Sequence, residues 1–106
     1  MKKYDVRVTN HALKDMQDLY DYICDTLFSP DAAMNQYNRI ADAIERLNEL
    51  PERHRMFESE PEHSQGIRLL PVDNYSVIYV VRDTEVTVLR VLYSASDIIS
   101  RLRNNA

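Results

Sequence analysis

The residues able to do chemistry in this chain are arginines and tyrosines set among apolar, strand-like runs. Arg68 follows Gly66, the chain's single glycine. Arg90 interrupts the run VLRVLY, which ends at Tyr93. Ser94-Ala95-Ser96-Asp97 then leads to Arg101 and Arg103. A guanidinium is permanently charged and presents a planar fork of donors, so it matches phosphate and carboxylate geometry. Arginine among apolar side chains on a sheet face is an interface composition. The chemistry it offers is recognition of an anionic group or an acidic peptide.

Other chemistries lack their residues. One glycine cannot make a nucleotide-cradling loop. His11, His54 and His63 show no metal-ligand spacing and there is no cysteine pair, so no metal or other cofactor is expected. No Ser-His-Asp set is legible from spacing. Cys24 sits on an apolar stripe between Ile23 and Leu27 and reads as a small buried hydrophobe. A lone cysteine forms no internal disulfide and fits the cytoplasm. The amino-terminal MKKYDVRV has no continuous apolar segment of the signal-peptide kind. No run reaches the roughly 20 apolar residues of a membrane span. The net charge of -4 lacks the basic footprint of a general nucleic-acid binder. Charge is uneven, however. Residues 10–50 hold eight acids against three bases, a charge of -5, while residues 66–106 hold five arginines against four acids, a charge of +1.

These side chains need a scaffold, and 106 residues suffice for a single domain spanning 1–106. KYDVRVT alternates as a half-buried strand, with Tyr4, Val6 and Val8 on one face. Thr9 or Asn10 then caps a helix whose stripe includes Ala12, Leu13, Met16, Leu19, Tyr20, Ile23 and Leu27. Ser29-Pro30-Asp31 restarts a second helix, with Met34, Tyr37, Ile40, Ala41, Ile44 and Leu47 as its stripe, closed by Leu50-Pro51. The short connection makes an antiparallel helical hairpin. Residues 51–65 read as a loop anchored by Met56 and Phe57. Three strands follow, IRLLP, YSVIYVVR and VTVLRVLY, joined by Val72-Asp73-Asn74 and Asp83-Thr84-Glu85 as short turns. The third strand of the chain order, apolar on both faces, belongs in the sheet interior. A last helical turn over 97–103 is capped by Ser96. The expected fold is α+β, in the order β-α-α-β-β-β, with the helical hairpin packed on an antiparallel sheet. Alternation puts Val88, Arg90 and Leu92 on an open outer face with Ser76, Ile78 and Val80, and Leu89 and Val91 toward the helices. Arg68 can join that face.

The run GIRLLPVDNYSVIYVVRDTEVTVLRVLYSASD resembles the carboxy-terminal half of the RelE/ParE toxins of bacterial type II toxin–antitoxin modules. KKYDVRVTNHALKDMQDLYDYI, LFSPDAA and ELPER are similar to the same family. The resemblance covers nearly the whole chain. It implies growth inhibition, a place in plasmid stabilization modules, and a cognate antitoxin whose carboxy-terminal segment wraps the toxin. In the RelE-like branch it implies metal-free cleavage of messenger RNA on the ribosome, for which the matching residues are Arg68, Arg90 and Tyr93. In the ParE-like branch it implies inhibition of DNA gyrase without hydrolysis. The position after the third-strand tyrosine, often arginine in the nucleases, is Ser76. The Gly-x-Arg-Asp common in the ParE-like branch reads Ser94-Ala95-Ser96-Asp97. The degraded nuclease pattern favours a target-binding toxin of the ParE-like kind. Its expected target contacts are Arg68, Ser76, Arg90, Tyr93, Asp97, Arg101 and Arg103. Its expected antitoxin contacts are Ala12, Met16, Leu19, Tyr37 and Ile40, in an apolar groove of the helical hairpin. The alternatives are the ribosome-dependent endoribonuclease and a non-toxic member that retains only antitoxin binding.

Overall fold

A computed structural model describes residues 3–104, so the first two residues of MKKYDVRV lie outside it. Strand β1 is Asp5–Val8 and helix α1 is Asn10–Thr26. Thr9 Oγ1 accepts the Ala12 amide at 3.2 Å and so caps α1. Helix α2, Pro30–Glu45, starts from Ser29, whose hydroxyl accepts the Ala32 amide, with Pro30 at the first turn. Between them Phe28 takes a left-handed φ of 54° and stands 86% exposed. The second helix stops short of Leu50. It tightens into a 3-10 turn at Arg46–Asn48, and Leu50 adopts a left-handed φ of 49° ahead of another 3-10 turn, Pro51–Arg53.

Strands β2 (Ile67–Val72), β3 (Tyr75–Arg82) and β4 (Glu85–Tyr93) form the expected meander, and a short helix α3 spans Ile98–Arg103. The sheet order is β1-β4-β3-β2. The meander is antiparallel, but β1 joins β4 in parallel, Asp5 opposite Glu85 and Val8 opposite Val88, so the sheet is mixed. A parallel neighbour needs a long crossover, and α1, α2 and the two following strands supply it.

Both hairpin turns are two residues rather than three: Val72 pairs with Tyr75 and Arg82 with Glu85. Asp73 and Asp83 enter them at φ 55° and 54°, in the left-handed region that such turns require and aspartate tolerates. A β-bulge then breaks the β3–β4 register. Tyr79 faces Val88, yet Ile78 faces Arg90, so Leu89 is the extra residue. The bulge corrects the expected faces of β4. Val86 and Val88 turn toward the helices before it, and Val91 does so after it.

The helix-side core joins Ala12, Met16, Leu19 and Ile23 of α1, Ala33, Ile40 and Ile44 of α2, and Val77, Tyr79, Val86, Val88 and Val91 of the sheet. The opposite sheet face is not open as expected. Ser76, Ile78 and Leu92 there are 2%, 0% and 2% exposed. The loop after residue 57 and α3 close over it, held by Arg103 and Glu62 at 3.0 Å. Asp97, not Ser96, caps α3 by accepting the Ser100 amide at 3.2 Å.

Candidate functional site

Arg90 lies where β1 has ended and α1 begins to run beside β4. Thr9, which links β1 to α1, donates its amide to Val88 O and its hydroxyl to Leu89 O. Two turns of helix later, Asp15 meets the same strand edge. Its carboxylate accepts from Arg90 Nε at 2.7 Å, from the terminal Arg90 NH2 at 2.8 Å, and from the Val91 amide at 2.9 Å. Both side chains of the pair are about nine-tenths buried, at 11% and 8% exposed. Asp15 raises the guanidinium further above its ordinary value, against the cost of burial. Arg90 is therefore committed to an internal bidentate pair rather than presented to solvent.

Arg68 stands on the other side of the sheet. It is directly opposite Tyr79, whose ring belongs to the helix-side core. One terminal nitrogen of Arg68 donates to Glu52 O at 2.9 Å and His54 O at 2.6 Å. The Tyr79 hydroxyl donates to Pro51 O, and burial pushes that phenol up to about 12. Arg68 and Tyr79 thus staple the Pro51–His54 turn onto β2 and β3. The expected clustering of Arg68 with Arg90 on one face does not occur, because the pairing that puts Arg90 opposite Ile78 puts Arg68 opposite Tyr79.

The other proposed contacts divide. Ser76 is buried and shares a hydrogen bond of 2.7 Å with the Ser94 hydroxyl. Tyr93 is 49% exposed and stacks edge-on against Tyr75, ring centres 5.8 Å apart. Ser96 folds back, donating its hydroxyl to Tyr93 O. Asp97 accepts from the Ser100 amide and hydroxyl, which lower its carboxyl below the usual range. Arg103 is engaged with Glu62. Arg101 is exposed, borders the same cleft as Tyr93, and has no ion pair among the described residues. The structure brings Tyr93 and Arg101 together and leaves Arg68, Arg90, Ser76 and Arg103 in separate internal roles.

The expected helical groove also needs correction. Ala12, Met16, Leu19 and Ile40 are 0%, 4%, 6% and 0% exposed and fill the core beneath the hairpin, because the sheet needs their whole width for cover. Tyr37 is half-buried, with Tyr20 edge-on at 6.2 Å. The open apolar cleft lies instead between α1 and the Asn74 end of the sheet, a volume of about 650 Å³. Its lining includes Tyr22, Ile23, Leu27, Tyr75, Tyr93 and the rim of Leu19. Tyr22 and Leu27 are 55% and 58% exposed. The sequence signal for Tyr22 was present but easily passed over: a large aromatic one position off the buried stripe.

Among the described residues no group of three His, Cys, Asp or Glu side chains is placed to hold a metal ion. No helix among them is long and apolar enough to cross a membrane.

A family model described as the ParE toxin of the type II toxin–antitoxin system parDE matches residues 6–98. The chain belongs to the ParE toxin family. No curated protein sequence matches it. Among solved structures, this ParE-family chain is similar to a chain of a chromosomal ParDE toxin–antitoxin system from P. aeruginosa, at 22% identity and a TM-score of 0.72, covering 88% of this chain and 98% of that one. It is similar to a chain of the RelBE2 toxin–antitoxin complex from Mycobacterium tuberculosis, at 24% identity and a TM-score of 0.63, covering 91% and 97%. An archaeal RelE–RelB complex from Pyrococcus horikoshii OT3 gives 19% identity and a TM-score of 0.57, covering 90% and 98%. At these identities the likeness concerns the fold, which is the α+β arrangement of helices on a four-stranded mixed sheet.

Proposed function

We propose that this ParE-family toxin inhibits growth by binding a cellular target, DNA gyrase, and is neutralised by an antitoxin that occupies the cleft between α1 and the Asn74 end of the sheet. The observation that carries the target reading is the dispersal of the cationic set. A metal-free nuclease needs basic groups converging on one scissile phosphate. Here Arg90 is spent on Asp15 and Arg68 on two backbone carbonyls, on opposite faces of the sheet. Ser76 is buried against Ser94. A surface that binds and blocks needs no such convergence. Tyr93 and Arg101 provide an aromatic and a free cation at the mouth of the cleft.

The antitoxin reading is supported by two things together. The similar structures from P. aeruginosa, M. tuberculosis and P. horikoshii are toxin–antitoxin systems or complexes. The cleft is apolar, aromatic-lined and large enough for a turn or two of amphipathic helix.

Expression in a sensitive bacterium, with and without the neighbouring gene, tests the whole reading. Growth arrest with a DNA-damage response and filamentous cells, relieved by the neighbour, is expected. Purified protein should then block supercoiling by gyrase. Arrest with cleaved messages and intact supercoiling would replace gyrase with the ribosome. Soluble expression with no growth effect would leave only antitoxin binding.

A further inference from the structure

The cleft between α1 and the Asn74 end of the sheet has a charge pattern that its occupant must match. Asp15, Asp18, Tyr22 and Asp25 follow one another at spacings of three, four and three, and so form one ridge along α1. Asp15 is engaged internally by Arg90. Asp18 and Tyr22 line the cleft. Asp25 stands beside Tyr22 in the last turn of the helix, exposed and without an ion pair among the described residues. That last turn has no basic residue, and α1 ends on Leu27, whereas α2 ends on Arg46. Asp25 and the carbonyl end of α1 are therefore negative together, where Tyr22 and Leu27 open the cleft.

The bases near the cleft do not reverse this sign. Lys14 reaches Asp18 at 3.2 Å from one turn earlier, with both side chains more than half exposed. Arg101 stands on the opposite wall, on α3. Against these two cations the rim and its flanks carry Asp18, Asp21, Asp25, Asp31 and Asp97, all exposed. Asp21 accepts from the Gln17 amide, Asp31 lies in the first turn of α2, and Asp97 caps α3. None of these three forms an ion pair among the described residues, so the α1 side of the cleft is acidic.

We propose that the segment filling this cleft is amphipathic and basic, with lysine or arginine side chains along its α1 flank that reach Asp18, Asp25 and the carbonyl end of α1. The inference rests on the antitoxin reading of the cleft and names the chemistry of that partner. The apolar face of the segment covers Tyr22, Leu27 and Tyr75. Its bases stay at the rim, where such charges act on encounter and on specificity more than on packing. A second copy of this chain is a poorer occupant. A two-fold contact places the same patch on both sides, so two acidic rims would face each other. An acidic segment meets the same repulsion.

The probe is the purified product of the neighbouring gene, titrated calorimetrically into the full chain over a range of salt. Affinity for the wild type should fall as salt rises. Asp18→Asn/Asp25→Asn should bind more weakly, by roughly 1.5- to 5-fold per lost contact, and with less dependence on salt. Asp42→Asn/Glu45→Gln removes the same charge from the far end of α2 and should bind like the wild type. All four side chains are exposed, so neither variant should lose thermal stability. Leu27→Ser trims the apolar lining without changing charge and should weaken binding at every salt. A lysine-bearing amphipathic peptide should displace the product at lower concentration than a glutamate-bearing peptide of the same length and apolar face. Unchanged affinity and salt dependence in Asp18→Asn/Asp25→Asn, with Leu27→Ser weakened, overturns the basic partner and leaves the cleft reading standing. Equal losses in the two charge variants do the same, because the attraction would then belong to the net charge of the chain. Full affinity in Leu27→Ser, or no binding to the wild type, overturns both.

Discussion

Asp15 is a single carboxylate with three donors: both arms of Arg90 and the Val91 amide. Removing one member of a buried pair leaves the other desolvated without its partner. Arg90→Met should therefore cost about 3–5 kcal/mol of stability in urea denaturation. Asp15→Leu/Arg90→Met should recover part of that and retain the cost of the orphaned Val91 amide, about 1–3 kcal/mol. Equal midpoints for wild type and Arg90→Met would show that the pair is open in solution. Sequence could not reveal this role. Asp15 sits among Asp18, Asp21 and Asp25 in an acidic series on one helix, and its partner is 75 residues away. Glu62 gives a pH prediction. Arg103 is the main cause, with Ser59 helping, of a carboxyl lowered from 4.5 to about 2. Its folded-state value lies below its unfolded one, so its contribution is complete above pH 4.5 and is lost as pH falls toward about 2. Glu62→Gln should flatten the acid limb of stability against pH in that window. An unchanged acid limb would mean that the Arg103 contact is not kept in solution.

The elements themselves were legible wherever a periodic pattern or a cap marked them. Thr9, Ser29-Pro30 and the alternating strands sit where their chemistry places them. The β4 bulge was not legible, because Leu89 is as apolar as its neighbours and nothing in VTVLRVLY marks an extra residue. Two-residue turns alone would have put Leu89 opposite Ile78 and turned Arg90 into the helix-side core. The bulge avoids burying that charge among Val77, Val86 and Val88, and delivers it to Asp15 instead. Deleting Leu89 should remove the bulge and leave Arg90 opposite Ile78 and Val91 opposite Val77, so it should cost less stability than Arg90→Met, the loss being local to the bulge and to the Thr9 hydroxyl that donates to Leu89 O. A deletion variant that loses as much stability as Arg90→Met in urea would show that the bulge itself, and not only the register after it, is needed to bring Arg90 to Asp15. The turns make a smaller claim. Asp83 at φ 54° tolerates Asn, while Asp83→Val should cost about 1–2 kcal/mol, read from the same denaturation curves.

Across the whole molecule, both faces of the sheet are already covered, one by the helical hairpin and one by the loop after residue 57 with α3. On the proposed reading the antitoxin uses what that cover leaves open, the cleft beside α1. The sequence stripe on α1 identified the core correctly but could not separate residues that face the sheet from those that overhang it. Ala12, Met16 and Leu19 support β4, whereas Tyr22 and Leu27 continue past the strand end. On that reading antitoxin binding is separable from folding. Tyr22→Glu/Leu27→Glu places charge on side chains more than half exposed, so the melting temperature should hardly move. In the complex the same charges would be buried in an apolar interface without partners, a loss of at least about 2 kcal/mol, or roughly thirtyfold in Kd. Met16→Ala should do the reverse, lowering stability by about 2–5 kcal/mol while leaving the cleft lining intact. Calorimetric titration of each variant with the antitoxin, beside its own thermal melt, separates the two effects. Full antitoxin affinity in the glutamate variant would move the docking surface elsewhere, and the half-buried Tyr20–Tyr37 seam on the outer side of the hairpin would be the next surface to test.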